Sequence, residues 1–168
     1  KDVLLELSQL LKKSKILENI KLNTIFTLLE EREKIGSTGF GDGIAIPHCK
    51  MEELDTFIVG IGISKKGIDF KALDNKKVNI FFVTIGPLNK PDIHVKMLAQ
   101  ISRILKNKKA CQELLKAPSR IALYETFLRH TRSDNIQRKE WKKQKLLMLV
   151  IKEEQYYDDI LEFFIEIG

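Results

Sequence analysis

Residues 78–85, with the sequence VNIFFVTI, constrain the fold more than any other part of the chain. They are apolar almost without interruption, they favour β-structure, and Gly86-Pro87 follows them directly. A strand without a polar face must be covered on both sides, so this segment predicts a central strand between two layers. Residues 56–64, TFIVGIGIS, predict a second strand, and residues 65–67, KKG, predict a turn after it.

Helical periodicity on both sides of these strands predicts the layers that cover them. In the first helix Leu7 and Leu11 share one face, and in the third Val95 and Ile101 are expected to point inward. Asp92 is in position to cap that third helix. The predicted helices cover residues 2–14, 22–33, 92–107, 109–116 and 119–129. Apolar strands flanked by such helices indicate a layered α/β domain.

The chain beyond this domain divides into a basic stretch and a second apolar stretch. Residues 130–144 predict a linker, and 131–145 hold six basic and two acidic residues, which account for four of the net charge of +6. Residues 145–151, KLLMLVI, predict a buried strand, and residues 153–167 predict a helix. One strand and one helix cannot form a domain alone. Residues 145–168 are expected either to dock on the first domain or, the interpretation we favour, to begin a truncated second domain.

The composition argues against several classes of protein. No apolar run reaches the ~20 residues that span a bilayer, so no membrane insertion is expected. Cys49 and Cys111 are too few for a disulfide scaffold, and no His/Cys cluster offers a metal site. A cytoplasmic protein without a cofactor is therefore expected. Trp141, in the basic stretch, could stack on a base, but short charged runs are usually solvated linkers, so no nucleic acid partner is expected.

The residues best suited to chemistry lie together in segment 32–50, REKIGSTGFGDGIAIPHCK. It contains His48 directly behind Pro47, a run with four glycines, and Arg32 sixteen residues before the histidine. A neutral imidazole can accept a phosphoryl group, and a guanidinium fork with backbone N–H groups can hold the phosphoryl oxygens. The segment therefore predicts an anion site with His48 as the nucleophile.

Three further residues could complete such a site. The hydroxyls of Ser37 and Thr38 could donate hydrogen bonds to phosphate oxygens. His94 begins a helix directly after the central strand, so it could lie beside His48 at a helix end that favours anions.

From these residues alone, other interpretations stay open. His48 and His94 could be ordinary loop and capping residues, the glycines could only serve turns, and Arg32 could decorate the end of a helix. Cys49 beside His48 invites a cysteine protease interpretation, but adjacent residues of an extended chain point to opposite sides. Cys111 is interpreted as a small core residue.

Segment 32–50 closely resembles the active-site signature of the type-2 IIA family of the bacterial phosphoenolpyruvate-dependent phosphotransferase system. This family includes the fructose, mannitol and nitrogen-regulatory IIA proteins. Residues 94–105, HVKMLAQISRIL, resemble its second element, a histidine that opens a leucine-rich helix, and residues 65–70, KKGIDF, also resemble it. The resemblance identifies residues 1–129 as an IIA domain. The family's segment before the first helix is missing here, so this domain is expected to be trimmed at its N-terminus.

The resemblance implies roles for individual residues. His48 matches the phosphorylated histidine, modified at Nε2, and His94 matches a second active-site histidine that adjoins the phosphoryl group without carrying it. Arg32 matches the arginine of the family's RE motif and would stabilise phosphate charge. Thr38 matches a hydroxyl position of the motif, and Asp42 could orient an imidazole nitrogen.

The resemblance also implies a fold, partners and a function. The family fold is an α/β sandwich in which helices flank a mixed β-sheet; the phosphoryl donor is the phosphocarrier HPr, and the usual acceptor is a IIB domain. The first expectation is a phosphotransferase component that relays phosphate through His48 to a IIB domain for sugar uptake. The alternative is a nitrogen-regulatory type of protein, in which phosphorylation of His48 controls binding to a partner protein. No transporter or IIB sequence follows the IIA domain, which favours the alternative.

Overall fold

One mixed sheet organises the structure. The computed structural model describes residues 2–132, 145–151 and 164–165. Within these residues the strands are β1 (Gly39–Gly41), β2 (Ile44–Ala45), β3 (His48–Met51), β4 (Ile58–Ile68), β5 (Val78–Pro87), β6 (Lys145–Ile151) and β7 (Phe164–Ile165). Their order in the sheet is β1-β2-β5-β4-β6-β7, and β3 also pairs with β5.

The predicted central strand is confirmed as β5, which is buried along nearly its whole length. It pairs antiparallel with β4 on one side and parallel with β2 and β3 on the other. The predicted turn at residues 65–67 is wrong, because β4 continues through it to Ile68, which pairs with Val78. Gly67 has φ +73° and lies where the register between β4 and β5 shifts. Residues 65–67 therefore form a β-bulge within the strand.

Helices cover both faces of the sheet, as the apolar strands predicted. The helices are α1 (Asp2–Lys12), α2 (Leu22–Ile35), α3 (Pro91–Lys106), α4 (Lys108–Leu115) and α5 (Arg120–Arg132), with a 3-10 turn at Lys15–Leu17. The first two pack with residues such as Phe81 and Val83 in one core, and the last three pack with Phe82 in the other. The expected layered α/β sandwich with a mixed sheet is confirmed.

The start of α3 differs from its prediction. The helix begins at Pro91 with Lys90 at the N-cap position, two residues earlier than a cap at Asp92 would place it. Proline suits this first helical position because it has no N–H group to leave unpaired. Val95, expected to point inward, is 64% exposed, whereas Met97 and Ile101 are buried. Val95 therefore lies outside the buried face that Met97 and Ile101 form.

The C-terminal part contributes backbone pairing to the same sheet. The predicted strand at 145–151 is confirmed as β6, which runs parallel to β4. Of the predicted helix at 153–167, residues 153–163, 166 and 167 lie outside the described residues. Residues 164 and 165 form β7, antiparallel to β6, so pairing with a neighbouring strand overrides helical periodicity there. The assignment of residues 145–168 to a second domain stays a prediction, and most of the linker at 130–144 also lies outside the described residues.

Among the helices that the structure describes, none combines the length and apolarity that a membrane span requires.

Candidate functional site

A single proline explains the backbone geometry around His48. β2 and β3 lie parallel along the same edge of β5, and Ile46-Pro47 interrupts them. Proline has no N–H group to donate to the ladder, so the strand must break there. The Ile46 N–H instead donates to the Thr38 carbonyl at 2.9 Å, and the Pro47 carbonyl accepts from the Thr84 N–H at 2.9 Å. The interruption is thus anchored on both sides and places His48 at the first position of β3.

The break leaves the Ile46 carbonyl available to the His48 ring. His48 Nδ1 lies 2.8 Å from Ile46 O, and Arg32 Nε lies 3.0 Å from His48 Nε2. A carbonyl oxygen only accepts, so Nδ1 carries the proton, and Arg32 donates to the lone pair of Nε2. The two contacts define one neutral tautomer and fix which ring nitrogen can act as a nucleophile.

Burial and nearby charges keep the imidazole in this neutral form. Burial is the largest influence and lowers the pKa of His48 below 6.5, while the hydrogen bond to Ile46 raises it. The cationic side chains of Arg32 and Lys50 also lower the pKa, and the Glu33 carboxylate raises it. The net effect is a pKa below 6.5, so His48 is predominantly neutral at pH 7.

Arg32 reaches His48 from the last turns of α2, which packs beside β3. A second donor of the same guanidinium, Nη1, bonds the Gly36 carbonyl at 3.0 Å. This tether fixes the plane of the fork against the glycine-rich loop. Sequence spacing predicted Arg32 as a partner of the anion, and the structure brings it into contact with the imidazole itself.

The hydroxyl residues of the loop hold the loop's own structure. Thr38 is buried, its Oγ1 donates to Glu33 Oε2 at 2.5 Å, and its backbone N–H donates to both Glu33 oxygens at 2.9 and 3.0 Å. Ser37 Oγ donates to the Phe70 carbonyl at 3.3 Å and accepts from the Gly39 N–H at 3.1 Å. Both residues lie in the loop between Arg32 and β1, and their part in binding phosphate stays a prediction.

Asp42 lies away from the imidazole that it was predicted to orient. It occupies the turn between β1 and β2 with φ +51°, is exposed, and its carboxylate lies 3.9 Å from Lys76 Nζ. This turn is at the start of β5, since Ile44 pairs with Ile80, whereas His48 pairs with Thr84 farther along. In the structure, the group that orients the imidazole is instead the Ile46 carbonyl.

His94 lies in the first turn of α3, the helix that follows β5. The core neighbours of Thr84 on β5, Val83 and Ile85, face α1 and α2, so alternation places Thr84 on the α3 side. His48 is its parallel register partner and shares that face. The side chain of His94 is outside the described part of the structure, and its place beside His48 stays a prediction.

Cys49 points away from this site. It is buried in the core on the α1 and α2 side, and burial raises the pKa of its thiol to about 12. A protonated, buried thiol cannot serve as a nucleophile, which argues against the cysteine protease interpretation. Among the described residues, no group of three His, Cys, Asp or Glu side chains could hold a metal ion.

Sequence reasoning missed Glu33 and the Ile46 carbonyl. Glu33 sits among other charged residues near the end of a helix, where acidic side chains are usually solvated. A backbone carbonyl has no sequence signature, although Pro47 marks the position where the ladder must break.

Comparisons with known proteins agree with this geometry. Residues 1–130 match the family model for the phosphoenolpyruvate-dependent sugar phosphotransferase system, EIIA 2. A nitrogen regulatory protein from Pseudomonas aeruginosa is 40% identical over 102 residues, which are 61% of this chain and 66% of that protein. The fructose-specific EIIABC component of Bacillus subtilis is 31% identical over 99 residues, 59% of this chain and 16% of that protein. The chain thus spans just under two thirds of the nitrogen regulatory relative's length.

Solved structures show the same fold. The nitrogen regulatory protein IIA-Ntr from Neisseria meningitidis has a TM-score of 0.66 and 25% identity, covering 75% of this chain and 83% of that one. IIA mannitol from Escherichia coli has a TM-score of 0.54 and 16% identity, covering 73% and 86%, a likeness of fold alone. With the family model matching residues 1–130, the chain belongs to the EIIA 2 family of the phosphoenolpyruvate-dependent sugar phosphotransferase system.

Proposed function

We propose that the protein is a cytoplasmic phosphohistidine carrier, which accepts a phosphoryl group from HPr on His48 Nε2 and passes it to a IIB domain. One observation carries the proposal: His48 is held as a neutral tautomer with its proton on Nδ1, so the lone pair of Nε2 faces the guanidinium of Arg32. A nucleophile beside a fixed cation is the arrangement that phosphoryl transfer requires.

The transfer needs no acid or base at Nε2. The Nε2 lone pair forms a bond to phosphorus while the donor's bond to phosphorus breaks, and the bonding electrons return to the donor. The Nδ1 proton stays in its hydrogen bond, so the Ile46 carbonyl stabilises the positive charge that develops on the ring. Onward transfer reverses these steps, with the acceptor as the new nucleophile.

Arg32 must exchange partners during this reaction. In the structure its Nε–H occupies the lone pair that attacks phosphorus, at 3.0 Å. An incoming phosphoryl group therefore displaces the guanidinium from Nε2 and offers its own oxygens in return. The cation then lies where negative charge is concentrated in the transition state, which is the largest stabilising effect available in such a site.

The remaining predicted site residues fit around this core as part of the proposal. His94 would adjoin the phosphoryl group from the first turn of α3. Ser37 and Thr38 would bind its oxygens, for which each hydroxyl would exchange the acceptor that it holds in the structure.

Phosphorylation by a reconstituted donor system tests the proposal. Purified protein is incubated with labelled phosphoenolpyruvate, enzyme I and HPr, and acid-labile phosphate on the chain is measured. We expect the wild type to be labelled and His48→Ala to remain unlabelled. His130→Ala is the matched control, because His130 lies on α5 in a pair with Glu113, and it should be labelled like the wild type.

Two results would refute the assignment. One is a wild-type protein that gains no more acid-labile phosphate than His48→Ala. The other is labelling that survives in His48→Ala and disappears in His94→Ala, which would reverse the roles of the two histidines.

The relatives favour a second candidate function. Proteins named nitrogen regulatory protein, such as that of P. aeruginosa at 40% identity, are similar to this chain. We therefore propose as the alternative that phosphorylation of His48 controls binding to a partner protein. Affinity capture with wild-type, His48→Ala and His48→Asp proteins separates the candidates: a regulator captures different partners with the neutral and the acidic side chain. Identical partners for all three proteins would contradict a switch.

A further inference from the structure

Glu33 is connected to the reactive imidazole through the loop that follows α2. Its carboxylate accepts both the backbone N–H and the hydroxyl of Thr38. The Thr38 carbonyl accepts the Ile46 N–H at 2.9 Å, and the Ile46 carbonyl accepts the Nδ1 proton of His48 at 2.8 Å. Four residues between positions 33 and 48 thus form one continuous set of hydrogen bonds that ends on the ring.

The last of these bonds selects the reactive form of the histidine. Which ring nitrogen carries the proton depends on the hydrogen bond that the other nitrogen makes. Nε2 can attack phosphorus only when the proton is on Nδ1, and the Ile46 carbonyl keeps it there. That carbonyl is held in place by the bond from Ile46 N–H to Thr38, and Thr38 is held by Glu33.

Adjacent residues of α2 therefore hold opposite sides of one imidazole. Successive side chains of a helix diverge by about 100°, so Arg32 can point at the ring while Glu33 points into the loop. Arg32 contacts Nε2 directly, and Glu33 acts on Nδ1 through Thr38 and Ile46.

We propose that Glu33 is a positioning residue for phosphoryl transfer, which sets the Nδ1–H tautomer of His48 by fixing Thr38 and, through it, the Ile46 carbonyl. The proposal rests on the proposed function in taking Nε2 as the nucleophile. It assigns Thr38 to the support of the histidine in the resting protein.

Substitutions at three positions separate this role from simpler ones. Glu33→Ala removes every acceptor for Thr38, and Glu33→Gln keeps one amide oxygen. Thr38→Val removes the hydroxyl but keeps the backbone N–H that Glu33 binds. Glu31→Gln is the matched control, because Glu31 is an exposed carboxylate on the same helix.

Two measurements are made on each protein: the tautomer of His48 by ¹⁵N NMR without phosphate, and the initial rate of phosphorylation by HPr. We expect Glu33→Ala to shift His48 toward the Nε2–H tautomer and to slow phosphorylation by about tenfold to a hundredfold, the effect of losing hydrogen bonds to a charged group. Glu33→Gln should lie between Glu33→Ala and the wild type. Thr38→Val should keep the wild-type tautomer, and Glu31→Gln should match the wild type in both measurements.

The outcomes distinguish the positioning role from its alternatives. A Glu33→Gln protein that is folded and has the wild-type tautomer and rate overturns the proposal, and this variant serves if Glu33→Ala does not fold. A reduced rate with an unchanged tautomer also overturns it, because Glu33 would then act elsewhere. If neither the wild type nor any variant is phosphorylated, but substitutions of Glu33 still change the tautomer of His48, the proposed function fails and the positioning role of Glu33 stands.

Discussion

Replacing Arg32 by lysine tests whether the guanidinium fork, and not charge alone, drives phosphoryl transfer. Two donors of Arg32 are held near Nε2 in the structure: Nε on the ring nitrogen at 3.0 Å and Nη1 on the Gly36 carbonyl at 3.0 Å. A lysine ammonium is a single point of charge that cannot keep both contacts or bind two phosphoryl oxygens in a fork. The substitution thus removes about one charged hydrogen bond from the transition state.

The size of the effect follows from that loss. A hydrogen bond to a charged group contributes about 1.5–3 kcal/mol, and each 1.36 kcal/mol changes a rate by about tenfold. We expect Arg32→Lys to transfer phosphate from HPr about ten to a hundred times more slowly. Single-turnover rapid-quench measurements at saturating phospho-HPr report this step directly. Arg129→Lys is the control, because Arg129 is an exposed arginine on α5 that pairs with Glu113.

A neutral electrophile should react with His48 faster, not slower, when the guanidinium of Arg32 is removed. Arg32 covers the Nε2 lone pair, so Arg32→Gln should make His48 react faster with the neutral electrophile diethyl pyrocarbonate, although it transfers phosphate more slowly. The comparison is made at pH 8.5, because loss of the cation raises the pKa of His48. Arg32 does not have this role if Arg32→Lys transfers phosphate within twofold of the wild type, or if both reactions of Arg32→Gln become slower.

Three further predictions follow from burial and packing. Because burial lowers the pKa of His48, the phosphorylation rate should stay constant as the pH falls to 6.5 and decline only below that pH. Below pH 6.5 the histidine of the unfolded chain binds a proton before that of the folded protein. The free energy of unfolding of the wild type, measured by urea titration, should therefore fall there relative to that of His48→Gln. Because burial raises the pKa of Cys49 to about 12, iodoacetamide at pH 8 should modify this thiol only in urea, as peptide mass analysis can show. Gly86→Ala would place a Cβ 2.0 Å from the Phe57 ring and should lower the unfolding free energy by about 1–3 kcal/mol, whereas Gly36→Ala, with open space around it, should leave urea unfolding nearly unchanged.

The parts of the fold that follow from hydrophobic pattern were predictable from the sequence. The apolar run at 78–85 predicted a covered strand, and helical periodicity predicted the five α-helices that lie within the described residues. The sequence pattern predicted the wrong structure where turn-forming residues lie within a strand that pairs with its neighbour. The sequence KKG at 65–67 predicts a turn, but β4 pairs with β5 as far as Ile68 and forms a bulge at Gly67. Val95 follows the apolar period of α3 but is exposed, outside the buried face that Met97 and Ile101 form.

The candidate site was predictable for His48 and Arg32 and unpredictable for the groups that hold them in place, Glu33 and the Ile46 carbonyl. The residues alone left the role of Arg32 open, and the resemblance of segment 32–50 to a family motif placed Arg32 with His48. The group that selects the tautomer is the Ile46 carbonyl, which every residue type possesses. The resemblance suggested Asp42 for that role, but the β1–β2 turn places Asp42 near the start of β5, several residues from the level of His48.

Because a backbone carbonyl selects the tautomer of His48, the site tolerates side-chain changes at position 46 better than changes in chain length. The side chain at position 46 is buried, so its replacement alters packing, but any residue there still supplies the carbonyl. The two-residue separation between Ile46 and His48 must be kept, because it places the carbonyl within reach of the ring. Pro47 must also be kept, because it interrupts the strand there. A one-residue insertion between positions 46 and 48 should therefore inactivate the site even though every named side chain remains. The chemistry of His48 is encoded in spacing as much as in residue identity.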